Sequence, residues 1–252
     1  DCLLSRGLGD VYKRQLYVEV DSSVYFNSSQ ITNVDNLKTN VSNSLQSYSN
    51  SVDLSKFGGR FKYSKVLNVI DDVDRAITSN ITRVRIRRNM RALVNQEAQY
   101  ELCFGNRFHV NSGGFNIKST GFRIINEPDI VYLTDIPNSD GRTGVLSIVK
   151  PIQETGENRV VIKSAGLVDY VKGEVILTTV LITDTVLADD IIEVQAFPES
   201  NDVVGLKDLY LEFDVSKSTI NMIKDTISSG EKISGVGFKV TSSYSNGELK
   251  RG

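Results

Sequence analysis

The chain has 252 residues, a net charge of −2, 40% hydrophobic and 24% charged residues. That is enough apolar material for one large domain or two to three small ones, and it argues against global disorder. No apolar run reaches bilayer length, and the near-neutral charge gives no bulk argument for nucleic acid or a membrane surface. The two cysteines are too few for a disulfide framework or a cysteine-based zinc site.

Residues 1–15 have no clear period, and their RGLGDVYKRQ run resembles translated sequencing-adaptor scars. They are read as a non-native or disordered leader, outside the fold and following a missing N-terminal part of a longer parent. From Leu16 to Phe26 the chain alternates as a strand. A capping signal at Thr32 and Asp35 then opens a helix whose apolar face is Val34, Leu37, Val41, Leu45 and Tyr48. Its other face is Asn and Ser, which are weak helix formers, so packing must hold it.

The most informative stretch is Phe57 to Arg91. Gly58-Gly59 breaks the chain, and Ser64 is a candidate N-cap. Tyr63, Val66, Leu67, Ile70 and Val73 recur at helical spacing. After Ser79-Asn80 the period falls to two. Thr82, Val84 and Ile86 then alternate with Arg83, Arg85 and Arg87, a strand carrying a row of arginines outward. Residues 16–92 therefore read as a strand-helix-helix-strand unit.

The rest is β-rich. Short strand candidates at 99–104, 115–118, 122–125, 130–133, 145–149 and 159–163 are separated by turn chemistry. Residues 167–177 read as a hairpin turning at Gly173. Strands follow at 191–197 and 209–215. A short amphipathic helix is expected at 218–229 through Ile220, Ile223 and Ile227, then a strand at 236–240 and a polar tail. The expected class is α+β, divided into 1–15, 16–92, a β-rich domain at 93–215, and 216–252 with a short C-terminal helix.

Chemistry is sparse. His109 is the single histidine, and its segment looks like a polar loop with no nucleophile signature. Asp71, Asp72 and Asp74 cluster at a helix end without the spacing of a calcium loop, and carboxylates there favour a cationic partner. Arg75 or the arginine strand would supply it as a structural ion pair. The arginine row itself has three readings: a protein interface, edge guarding, and nucleic-acid binding. No aromatic platform is interleaved, which disfavours the last. We therefore expect no enzyme, no cofactor and no metal, with Arg83, Arg85, Arg87, Asp71 and Asp72 as interface residues.

Several segments together resemble one family. FGGRFKYSKVLNVIDDVDRAITSNITRVRIRR, the hairpin Gly166-Leu167-Val168-Asp169-Tyr170 with Lys172-Gly173-Glu174-Val175, and the Ile192–Pro198 strand are similar to the baseplate wedge subunit of T-even-type contractile-tail phages. The broader baseplate J-like proteins share the first element. The resemblance covers most of 16–215 and weakens at 216–252. It implies a non-enzymatic virion component of the tail baseplate, assembled in the host cytoplasm. That component would self-associate as a dimer within the inner ring and contact other baseplate wedge proteins, without nucleic acid or membrane. A tail-fibre or adhesin-type glycan-binding β module is the alternative; a hydrolase built on His109 is a further rival.

Overall fold

The computed structural model describes residues 15–51, 54–152, 158–207 and 209–227, with two short strands at Tyr244–Ser245 and Glu248–Leu249. The leader expected at 1–15 falls, except for Gln15, outside the described residues. So do the strand expected at 236–240 and most of the polar tail.

Alternation sets the first strand, β1 (Gln15–Phe26). Leu16, Val18, Val20, Val24 and Phe26 sink into the core, while Tyr17, Glu19 and Asp21 line the opposite face. Helix α1 (Val34–Ser49) starts at Asn33, whose side-chain oxygen accepts from the Asp35 and Asn36 backbone amides at 2.8 and 3.2 Å. Leu37, Val41 and Leu45 bury its apolar stripe.

Two short strands follow, β2 (Lys56–Phe57) and β3 (Arg60–Phe61), joined through Gly58 at φ +65°. A Cβ on Gly59 would meet the Leu54 carbonyl oxygen at 2.1 Å, so the chain needs glycine there. Helix α2 (Tyr63–Asp71) buries Val66 and Ile70. Its first amide, at Tyr63, donates to the Asp202 carboxylate at 2.8 Å, and Ser64 lies one residue inside the helix. The long strand β4 (Ile77–Arg91) runs antiparallel to β1 over 77–87.

The next strands are β5 (Glu97–Cys103), β6 (Lys118–Ser119), β7 (Phe122–Ile124), β8 (Glu127–Pro137), β9 (Thr143–Pro151), β10 (Asn158–Asp169) and β11 (Glu174–Thr185). Then come β12 (Ile191–Ala196), β13 (Val203–Val204), β14 (Tyr210–Phe213) and β15 (Thr219–Lys224). Strands β7 to β11 close into an antiparallel barrel: each pairs with the next, and β11 returns to β7. Gly173, at φ +68°, makes the β10–β11 turn. The barrel core includes Phe122, Ile124, Val131, Leu133, Leu146, Ile148, Val168 and Ile182.

The other sheet has the order β2-β14-β1-β4-β12-β6, with β15 beside the second half of β1. The sheet begun in 16–92 is thus completed by strands from 191–224 and by the short β6 at 118–119. The two sheets meet through the buried Phe104–Phe108 pair, the Phe108–Pro198 bridge and Asn116, which bonds the backbone of both His109 and Phe197.

The α+β class expected from sequence is corrected. The protein is mainly β, and α1 and α2 are the α-helices of the described residues. The short C-terminal helix expected at 218–229 is replaced by β15, which runs parallel to β1 from Asp21 to Phe26. Ile220 and Ile223 fit a helical period, but Thr219, Ile220 and Ile223 are β-branched and β1 offers an unpaired edge. The partner strand decided the outcome.

Candidate interaction surface

One face of the sheet carries α1 and α2; the other carries charge. Tyr17, Glu19 and Asp21 of β1 stand opposite Arg87, Arg85 and Arg83 of β4. Gln195 of β12 lies across from Arg87 on the other side, and Glu212 of β14 lies across from Tyr17. Four strands distant in sequence thus bring opposite charges to one place.

Arg87 is the centre of that place. Its side chain is 2% exposed and donates to Glu19 from Nε at 2.5 Å, to Glu193 from Nη1 at 2.9 Å and to Asp214 from Nη2 at 2.6 Å. Asn89 accepts a further bond from Nη1 at 2.6 Å, and the guanidinium sits 4.1 Å above the centre of the Tyr17 ring. Lys217 also donates to Glu193, and Gln195 donates to Glu19 at 3.0 Å. Every carboxylate bonded to Arg87 faces at least one cation, which is what burial of charge requires.

Burial holds the Glu19 carboxyl above the usual glutamate range, with the Arg87 hydrogen bond pulling the other way. Glu212 is pushed up as well, first by burial and then by the neighbouring Asp214 charge. Arg88, on the opposite face, is brought down to about 10 by burial, and it donates to the Cys103 carbonyl.

The expected interface residues separate into three groups. Arg87 is inside the cluster. Arg83 is exposed and Arg85 half-buried, and neither side chain has a hydrogen-bond or ion-pair partner among the described residues. The Arg85 Nε–H is itself out of water with no acceptor. Asp71 and Asp72 are exposed at the end of α2. Asp71 accepts from the Asn80 amide at 2.7 Å, and Asp74 accepts from the Ala76 backbone amide, in place of the expected arginine ion pair.

The cluster around Arg87 was missed in the sequence. Its signal was there: Glu19 lies between Val18 and Val20, Glu193 between Ile192 and Val194, and Arg87 beside Ile86. Opposite charges embedded in apolar strands need each other when the strands pair.

His109 is exposed, and its ring makes no hydrogen bond. Among the described residues there is no cluster of three or more metal-ligating side chains, and no helix long and apolar enough to cross a membrane.

What this face offers is fixed charge and exposed polar side chains. Residues 14–89 match the family model of the baseplate structural protein gp6, C-terminal domain III. The match spans β1, both helices and β4 as far as Asn89, so this part of the chain is similar to a baseplate structural domain, in line with the resemblance read from the sequence. That family is structural and virion-borne. No curated protein matches the chain.

Proposed function

We propose that this chain is a subunit of a contractile-tail baseplate wedge, associating with a second copy of itself and with other wedge proteins in the inner ring. The observation that carries the reading is the family match over 14–89, which falls on the elements that build the charged sheet face. Assembly would proceed through buried interface area with an apolar centre and a polar rim. Exposed Arg83, Asp71 and Asp72 and half-buried Arg85 are the candidates for the rim, and Arg87 serves by holding β1, β4 and β12 together behind them.

Co-expression with the tail proteins encoded beside it tests this reading. A stable particle containing this chain is the expected result. A chain that stays single in every combination would overturn it.

A further inference from the structure

Glu19 and Asp21, opposite Arg85 and Arg83 in register, accept their hydrogen bonds from other side chains. Glu19, Glu193 and Asp214 bind Arg87, and Glu193 also takes Lys217. Asp21, opposite Arg83 in register, accepts from Asn221 at 3.4 Å. Among the described residues two arginines are therefore left side by side on one strand face with unfilled side-chain donors, and the Arg85 Nε–H is out of water without an acceptor. A guanidinium fork in that condition matches a planar two-oxygen acceptor.

The approach to them is open. β12 pairs with β4 only from Ala196 opposite Ile86 to Ile191 opposite Arg91. From Arg85 back to Ile77, β4 has a paired neighbour in β1 alone among the described residues. Asp71 and Asp72 are exposed at the end of α2, on the helix side of that flank, where Asp71 accepts from Asn80 of β4. An incoming chain thus meets two cations on the sheet face and acids beside the edge. A phosphate backbone brings one charge after another past those acids, whereas a protein segment can set a single carboxylate on the arginines and place neutral residues beside the acids.

Resting on the wedge reading above, we infer that Arg83 and Arg85 form a docking site for an acidic, Asp- or Glu-bearing segment of another protein chain. The Arg87 cluster sets the site's position and engages Glu19, the β1 carboxylate opposite Arg85. Arg83 and Arg85 supply the forked donors, and the partner carboxylate supplies the acceptors that the fold leaves out.

Zero-length crosslinking tests this in the assembled particle. Arg83→Lys and Arg85→Lys keep the charge and provide amines, which a carbodiimide joins only to a carboxylate in contact. The expected result is an amide link from residue 83 or 85 to an Asp or Glu of a different chain, located by mass spectrometry and absent with arginine in place. Arg83→Gln with Arg85→Gln should weaken assembly by at least about tenfold and leave the melting curve unchanged. Links confined to Glu19 or Asp21 of the same chain, or no link in an assembled particle, would overturn the inference. So would an unweakened glutamine variant, or a particle that falls apart on nuclease treatment. A wild-type chain that never assembles defeats the wedge reading instead.

Discussion

The barrel and the charged sheet solve opposite problems. The barrel, β7 to β11, is built from strands consecutive in the chain, and closure leaves its strands paired around the ring. Its interior is apolar apart from a buried pair in which the Tyr170 hydroxyl donates to Asp135 at 2.6 Å, while the Ile117 amide donates to the same carboxylate. The sheet gathers β1, β4, β12, β14 and β15 from both ends of the described chain. It keeps one face open and stabilises it with charge. A closed barrel is held by shape and apolar volume; the charged sheet face is held by a satisfied network of polar side chains.

The largest expected effect breaks that contrast at its centre. Arg87→Leu leaves Glu19, Glu193 and Asp214 without their shared cation. We expect a loss of about 3–5 kcal/mol in chemical denaturation, because removing one partner strands buried charge. Tyr170→Phe is the corresponding change in the barrel. It removes one donor from a fully buried carboxylate that retains the Ile117 amide, and should cost about 1–3 kcal/mol by the same measurement.

The pH dependence is smaller and sharpens the comparison. The folded-state values of Glu19 and Glu212 lie above those of an unfolded glutamate. The folded chain binds those protons more tightly. Their contribution to stability is therefore full below the ordinary glutamate value and is lost as pH rises through the raised ones. Glu19→Gln should flatten part of that decline in denaturation midpoints taken across mildly acidic pH. The smallest effect on stability belongs to Arg83→Gln with Arg85→Gln. Among the described residues neither side chain has a hydrogen-bond or ion-pair partner, and Arg85 gives up only its weaker attraction to Glu19, so the unfolding free energy should move by no more than about 0.5 kcal/mol.

Local chemistry was legible where one residue decided the outcome. The apolar stripes of α1 and α2, the alternation of β1 and the Gly173 turn follow from spacing and φ preference alone. Position 87 was misleading because alternation tells which face a side chain takes and says nothing of what lies across it. Arg83, Arg85 and Arg87 share a face, yet only Arg87 is ringed by Glu19, Glu193 and Asp214. The stretch around Ile220 failed for a related reason. Its residues suit a strand, and the edge that captured it lies some 200 positions earlier in the chain. Long-range pairing of this kind leaves no local period to read.

The most direct test sets folding against assembly in one pair of proteins. Sedimentation velocity of the wild-type chain and of the Arg83→Gln, Arg85→Gln variant, each with the neighbouring baseplate proteins, should give a particle for the first and a single folded chain for the second. Equal particles from both, or none from the wild type, would contradict the claim that this sheet face exists to meet other subunits.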